Sequence, residues 1–276
     1  MIMKLGIING WEKGHIEYVH NKGLSAIEFC VNHNYDAAEF LEKAEQTKRW
    51  CDEYGVSVGS IGRWGMTRID SNGQIIPQAL EADKSLITAA RILNCPVYNC
   101  GVNPVEGLSF YENCRIAIDY LGQLIAFGKE KNVKIAVYTC NWENFVIEPT
   151  AWNVVLSALP ELGIKYDISH CLWRGGDYLQ EMLDWGDRFY HFHLKGAVYV
   201  NGKHYDDAPA GLDMIPWPVV MDILYTKNYD GMLSIEPHSI YWHGNKGQWG
   251  VDFTINHFKP MLMPENYECA NDPYMP

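Results

Sequence analysis

Long apolar runs are missing from this sequence of 276 residues. No stretch of about 18 apolar residues occurs in it, and a helix of roughly that length is needed to cross a bilayer. The first ten residues, MIMKLGIING, form too short an apolar stretch for the core of a secretory signal. We therefore expect a cytoplasmic protein with no membrane partner.

Basic residues are also scarce. Lys and Arg together number 22 against 34 Asp and Glu, so the formal net charge is -12. Such a charge opposes the release of counterions that drives most binding to nucleic acids. The composition therefore predicts no DNA or RNA partner, and it argues against an endonuclease, which needs a basic groove.

Two kinds of short motif are absent. The eight cysteines include none of the close pairs that structural zinc sites or small disulfide-rich proteins show. No glycine-rich nucleotide fingerprint follows an early apolar run, which argues against an open doubly wound sheet. We expect reduced cysteines, most of them buried as small hydrophobic residues.

Short apolar runs, in contrast, are frequent. Eight of them alternate with longer segments of helical period, which is the pattern of parallel strands joined by helices. The runs lie near residues 4–9, 25–31, 56–61, 96–100, 133–138, 163–168, 189–194 and 231–236. Eight strands close a barrel, and roughly 250 residues are typical of one. We predict an α/β fold, a single-domain (β/α)8 TIM barrel over residues 1–264, with a C-terminal tail over residues 265–276.

Polar side chains in the last three runs predict a shared site. Side chains alternate along a strand, so these polar residues face the barrel interior while their apolar neighbours face the helices. Asp167, His193 and Glu236 then stand at the C-terminal strand ends, where barrel enzymes carry their active sites. A cation relieves the electrostatic repulsion between closely spaced carboxylates. We predict a site for one divalent ion, and these ligands suit Mn, Mg, Co or Zn about equally.

Four further residues are candidates for contact with a substrate. His170 and His238 lie on loops above the barrel, where an imidazole can hydrogen bond a substrate hydroxyl or relay a proton. Glu28 lies at the end of the row of inward-facing side chains on the second run, and Lys195 comes directly after the seventh run. An ordinary surface position is the competing interpretation for each histidine.

Three segments carry a family resemblance: YDISH at 166–170, HFHLK at 191–195 and NYDGMLSIEPH at 228–238. They resemble the DxxH, HxHxK and GYDGxxSIE segments of the xylose-isomerase-like superfamily of sugar phosphate isomerases and epimerases. The first half of the chain resembles the superfamily only in the spacing of its predicted strands. The resemblance implies a metal held by four side chains: a Glu on strand five, an Asp on strand six, a His on strand seven and a Glu on strand eight.

The last three of these implied ligands match Asp167, His193 and Glu236, but the first is missing. The fifth run reads VKIAVYTCNWEN from position 133, and Tyr138 stands where the family has glutamate. We expect Tyr138 either to donate a hydrogen bond to the substrate or to fill the barrel mouth. Glu143, five residues later, is a candidate to curl back as ligand or base.

The implied function is proton transfer next to a carbonyl of a sugar or sugar derivative, with the enediolate stabilised by the divalent ion. Glu236 is the expected catalytic base, and His170 a hydrogen-bond donor or acid. Family epimerases use two glutamates, so the missing one weakens epimerisation more than isomerisation. Elimination from a 3-keto-sugar or glycoside and a non-catalytic sugar-binding barrel are the alternatives. A sugar is the expected partner, and homo-oligomerisation is left open.

Overall fold

The eight apolar runs form eight parallel strands that close into a barrel in the computed structural model, which describes residues 3–264. Two more strands form a separate hairpin, so the eighth barrel strand is β10. The barrel strands are β1 (Lys4–Asn9), β2 (Ala26–Cys30), β3 (Ser57–Gly62), β4 (Val97–Cys100), β5 (Lys134–Tyr138), β6 (Gly163–Asp167), β7 (Phe189–Leu194) and β10 (Met232–Ile235). The predicted (β/α)8 fold is confirmed. The predicted tail at 265–276 lies outside the described residues.

Helices follow the strands and cover the barrel. They are α1 (Lys13–Asn21), α2 (Ala37–Tyr54), α3 (Pro77–Ile92), α4 (Phe110–Lys131), α5 (Pro149–Ala158), α6 (Ile168–Trp173), α7 (Tyr178–Trp185), α8 (Trp217–Thr226) and α9 (Gly244–Phe258). Local chemistry fixes where several of them begin. Ser109 and Glu112 form a capping box at the start of α4, which satisfies two N–H groups that have no partner within the helix. Within residues 3–264, no helix is both long and apolar enough to cross a membrane.

The main core lies between the barrel and its helices. Outward-facing side chains such as Phe29, Tyr166, Phe192 and Leu233 are completely buried there. Burying one large apolar side chain contributes roughly 1.5–3 kcal/mol, so this layer supplies much of the stability. The seven cysteines in the described part of the chain are all unpaired, and five of them are buried.

The barrel interior is unusually polar. Barrel interiors are commonly filled by branched apolar side chains, but here Glu28, Asn99, Lys165, His191 and Ser234 are all buried at inward strand positions. The hydrogen bond between Glu28 on β2 and His191 on β7 joins two strands that are not neighbours in the sheet, so it crosses the interior. Polar side chains therefore extend from the middle of the barrel up to its C-terminal rim.

A hairpin that was not expected from the sequence follows β7. Strands β8 (Val198–Val200) and β9 (Lys203–Asp206) pair in antiparallel fashion around Asn201 and Gly202, whose φ values of 52° and 74° fit a tight turn with the twist of a hairpin. Ser239, on the loop after β10, donates a hydrogen bond to Asp206 at 2.5 Å. The hairpin is thereby tied to the rim of the barrel beside the eighth strand.

A buried ion pair links α3 to the outer side of the barrel. Asp83 on α3 accepts a hydrogen bond from Arg68 Nε at 2.8 Å, and both side chains are at most 1% exposed. Tyr98 and Tyr120 donate their hydroxyls to the same carboxylate at 2.8 and 2.7 Å. Because its charges and hydroxyls satisfy one another, we assign this cluster to the stability of the fold.

Candidate active site

Asp167 ends β6 and also begins the short helix α6. Its Oδ1 atom accepts hydrogen bonds from the backbone N–H of Ser169 at 2.9 Å and from the Ser169 hydroxyl at 2.8 Å. Its Oδ2 atom is buried and has no hydrogen-bond partner among residues 3–264. The cap therefore fixes the carboxylate and leaves one oxygen free for another group.

His193, near the end of β7, is held by Glu28 from across the barrel. The Nε2 atoms of His193 and His191 lie 2.7 and 2.8 Å from the same oxygen, Oε2 of Glu28. Burial would raise the pKa of Glu28, but the two imidazoles hold it well below its usual value, so the carboxylate is ionised. An ionised carboxylate only accepts, and each Nε2 must therefore donate a hydrogen.

The other ring nitrogen of His193 faces the rim. Its Nδ1 atom lies 2.9 Å from Oε2 of Glu236 and 3.7 Å from Oδ2 of Asp167. In a neutral ring with a hydrogen on Nε2, Nδ1 is an acceptor, and two acceptors at 2.9 Å repel each other. Either a proton on Nδ1 or a cation between the groups removes the repulsion. In the absence of a metal, a proton on Nδ1 removes the repulsion. Burial lowers the pKa of His193, but the carboxylates of Glu28 and Glu236 raise it to about 10.

These residues fit a divalent ion. Ligand atoms of Asp167, His193 and Glu236 all lie within 4.8 Å of one another at the C-terminal rim. A cation would provide a partner for two ligand atoms. One is Oδ2 of Asp167, which has no hydrogen-bond partner among residues 3–264, and the other is Nδ1 of His193, which faces the carboxylate of Glu236. A second group with the same spacing consists of Glu28, His191 and His193. Its carboxylate oxygen and both Nε2 atoms already take part in hydrogen bonds to one another. We therefore take the upper group as the candidate metal site.

Two lysines stand beside this group. Lys195 Nζ lies 3.4 Å from Oε2 of Glu236 and 3.8 Å from Oδ2 of Asp167, and Lys165 Nζ lies 4.0 Å from the same Asp167 oxygen. Both side chains are 2% exposed. Lys195 was a sequence candidate for substrate contact. Lys165 was not, although its inward position two residues before Asp167 is a signal that the sequence does carry.

His170 and His238 both lie at the mouth but in different surroundings. His170 Nε2 is 3.4 Å from Oδ2 of Asp167, its side chain is 11% exposed, and burial lowers its pKa to about 4. It is therefore neutral near pH 7 and lines a pocket with Trp173. His238 is more than half exposed and pairs with Asp207 at 3.0 Å, and this contact raises the pKa of His238. Glu236 and His238 line a neighbouring pocket.

Three candidate residues have no path to a substrate in this structure. Glu28 is completely buried beneath His193, so its carboxylate positions the imidazole and does not reach the mouth. Tyr138 is also completely buried; its ring stacks on Trp64 with centroids 5.5 Å apart, and its hydroxyl donates to the backbone carbonyl of Trp142 at 2.8 Å. Glu143 does not curl back into the site but accepts a hydrogen bond from Thr67. The burial of Tyr138 agrees with the expectation that it fills the barrel mouth, and a substrate contact for Glu28 or Tyr138 stays a prediction that requires these side chains to become accessible.

Comparison with known proteins places this chain in a family. A family-level sequence model described as xylose isomerase-like TIM barrel matches residues 16–254. The chain belongs to the xylose isomerase-like TIM-barrel family. The match includes the three candidate metal ligands and both lysines, so it reaches beyond the second-half segments that carried the resemblance. None of the curated protein sequences compared with the chain matches it significantly.

Solved structures with a similar fold superpose over most of the chain. A 3-keto-D-glucoside 4-epimerase from E. coli is 14% identical, with a TM-score of 0.73 over 94% of this chain and 99% of that one. A D-allulose 3-epimerase from Methylomonas sp. is 14% identical, with a TM-score of 0.74 over 95% and 98%. A probable 3-DHS dehydratase from Bacillus anthracis is 12% identical, with a TM-score of 0.70 over 92% and 99%. At these identities the likeness establishes the shared fold.

Proposed function

We propose that this protein is a metal-dependent isomerase or epimerase of a sugar or sugar derivative, acting by proton abstraction next to a carbonyl. One observation carries the proposal: ligand atoms of Asp167, His193 and Glu236 converge within 4.8 Å at the rim where barrel enzymes carry their sites. Two similar structures are epimerases of sugars by their names, which agrees with this chemistry.

Asp167, His193 and Glu236 would hold the ion. A divalent ion there would polarise a substrate carbonyl and stabilise the negative charge that develops on its oxygen. Three protein ligands leave positions open for substrate oxygens, as in other catalytic metal sites. The ion is Mn, Mg, Co or Zn, since oxygen ligands with one imidazole suit all four.

Glu236 is the proposed base. Its side chain is 18% exposed, while Asp167 is completely buried, so Glu236 is the carboxylate that a substrate C–H can reach. Burial would raise the pKa of Glu236, but Lys195 and His193 hold it below its usual value, which keeps the base ionised near pH 7. His170 is neutral at that pH and can donate a hydrogen bond to a sugar oxygen.

Isomerisation is favoured over two-base epimerisation, because Tyr138 stands where the family has its strand-five glutamate. The hydroxyl of Tyr138 already donates a hydrogen bond to the backbone carbonyl of Trp142. A single base can remove a proton from one carbon and return it to the next on the same face. Elimination from a 3-keto-sugar or glycoside is the second candidate, since it starts with the same abstraction, and the proton that Glu236 removes can then pass to the oxygen of the leaving group, with His170 as a hydrogen-bond donor to that oxygen. A dehydratase among the similar structures supports keeping it.

Exchange of substrate protons with solvent tests the proposal. Metal-loaded protein is incubated in D2O with a panel of aldoses, ketoses and 3-keto-glycosides, and products are followed by NMR. We expect deuterium at the carbon next to the carbonyl, and Glu236→Gln, assayed at saturating ion, to abolish it. Undiminished exchange in the Gln variant would remove Glu236 from the role of base. Sugar binding without exchange or product would instead favour the non-catalytic barrel.

A further inference from the structure

A pocket adjoins the candidate metal site on the side of β5 and β6. The residues that line it are Thr139, Asn141, Ile147, His170, Trp173 and Arg174. The open space within it, counted out to the solvent, is about 520 Å³. Pockets for small ligands commonly measure about 300–1,000 Å³. The proposed chemistry uses only His170 among these residues, so the pocket offers more room than the reacting carbonyl needs.

Two walls of this pocket are in contact with the metal site. His170 Nε2 lies 3.4 Å from Oδ2 of Asp167, and Thr139 Oγ1 accepts a hydrogen bond from the backbone N–H of Asp167 at 3.2 Å. The ring of Trp173 lies beside that of His170, with centroids 5.2 Å apart. A group bound at the ion and a group bound at Trp173 can therefore belong to neighbouring rings of one molecule.

Trp173 gives the pocket an apolar surface. It is 46% exposed, although its ring lies 5.2 Å from that of His204 on the β8–β9 hairpin and 5.4 Å from Lys195 Nζ. These neighbours hold the indole at the mouth of the barrel. An aromatic ring that is held in place and half exposed beside a pocket can pack against the apolar C–H face of a sugar ring.

The polar side chains of the pocket suit a neutral ligand. Asn141 is exposed, and its amide offers both a donor and an acceptor to neighbouring hydroxyls. Among the described residues, Arg174 is the one Lys or Arg that lines the pocket. Its guanidinium is paired with Glu181 at 2.5 Å and with Glu148 at 3.5 Å, so carboxylates already balance its charge. This arrangement disfavours a phosphate or a carboxylate as the ligand.

We propose that this pocket binds a second, neutral sugar ring, so that the substrate is a glycoside of two or more rings. This inference rests on the proposed function, because it places the reacting ring at Asp167, His193 and Glu236. A disaccharide keeps a carbonyl in its reducing ring, as proton abstraction next to a carbonyl requires. Trp173 packs against the C–H face of the second ring, and Asn141 hydrogen bonds its hydroxyls. Both are specificity-determining residues outside the ligand set of the ion.

Three unreactive probes test this assignment. Methyl β-cellobioside and methyl β-maltoside each add one ring to methyl β-D-glucoside, through a β and an α linkage, and none of the three has a carbonyl to react. Calorimetric titration of the metal-loaded protein should show at least one disaccharide binding roughly tenfold or more tightly than methyl β-D-glucoside. In Trp173→Ala and in Asn141→Ala this advantage should fall to about threefold or less, with metal content by elemental analysis unchanged.

Trp249→Ala is the matched control. Trp249 lies on α9 and is 54% exposed, so its removal deletes a similar aromatic surface outside the pocket and should leave the disaccharide advantage intact. Thermal melting establishes that each variant is folded. Asn141 is an exposed residue outside helices and strands, so its variant decides the question if Trp173→Ala does not fold.

Equal affinity for the three probes in the wild type, or binding of none of them, would overturn the proposal. An advantage that survives in both pocket variants would also overturn it, since the second ring would then bind elsewhere. Failure of the proposed function has a separate signature. A disaccharide advantage without deuterium exchange in the D2O assay keeps the pocket assignment and removes the chemistry, while exchange without the advantage does the reverse.

Discussion

The Nε2 atom of His193 lies 2.7 Å from Oε2 of Glu28, although 165 positions separate the two residues in the chain. The contact fixes which ring nitrogen carries the hydrogen, and it turns Nδ1 toward Asp167 and Glu236. Histidines that bind metals commonly donate their second N–H to a carboxylate, which orients the ring and raises its basicity. A side chain from β2 thereby orients a candidate ligand on β7.

Replacing Glu28 by Gln should weaken metal binding while preserving the fold. The amide keeps the size of the side chain but loses the charge that makes the imidazole a better ligand. We expect the dissociation constant for Mn to rise by about tenfold to a hundredfold. Ser234→Ala is the control, because its buried hydroxyl has no hydrogen-bond partner in the described residues. Equal affinities of wild type and Glu28→Gln would show that the contact is only structural.

The purified protein should carry about one divalent ion per chain after incubation with Mn, Co, Mg or Zn. Asp167→Ala and His193→Ala should each remove it, since loss of one of three protein ligands costs orders of magnitude in affinity. Glu143→Ala removes an acidic side chain that lies outside the site, and it should bind the ion normally. Elemental analysis measures all four proteins. Wild-type protein that stays free of metal would rule out the site.

Metal affinity should rise with pH. In the absence of an ion, neighbouring carboxylates raise the pKa of His193 to about 10 against the opposing effect of burial, so the ring is protonated near pH 7. A histidine must lose that proton to bind a metal. Uptake therefore releases about one proton, and affinity should increase about tenfold per pH unit between pH 6.5 and 8.5. Titration calorimetry in buffers of different ionisation enthalpy counts the released proton, and affinity independent of pH would contradict this.

Tyr138→Phe should have almost no effect on turnover. Its hydroxyl donates to the backbone carbonyl of Trp142, so the change removes one buried hydrogen bond and costs about 1 kcal/mol of stability. Metal content should be unchanged, and kcat/KM on the substrate identified by the exchange assay should stay within about twofold. A fall of tenfold or more in kcat/KM would show that the phenol reaches the substrate after all.

Asp83→Ala should destabilise the fold without touching the site. The substitution leaves Arg68 buried and unpaired, and breaking a buried ion pair in this way costs about 3–5 kcal/mol. Glu81→Ala on the same helix removes an exposed partner of Lys84, and its effect should stay within about 0.5 kcal/mol. Urea unfolding compares the two variants. Similar midpoints for both would mean that the buried pair contributes little.

The sequence by itself determined the barrel and the rim position of three site residues. Alternation of side chains along a strand is a local property, and parallel strands bring all their C-terminal ends to one rim. Strand bounds predicted from apolar runs therefore placed Asp167, His193 and Glu236 on the same side. The order of strands around the closed barrel then brought their ligand atoms within 4.8 Å.

Only the tertiary structure decided which side chains meet across the barrel. The partnership of Glu28 with His193, the position of Lys165 beside Asp167 and the stacking of Tyr138 on Trp64 depend on how the sheet closes and how far its strands are staggered. Those quantities are set by packing over the whole molecule, and no local pattern records them. The sequence could therefore name the carboxylates and the histidine at the rim, while closure of the barrel decided which of its polar residues support them and which are sealed away from a substrate.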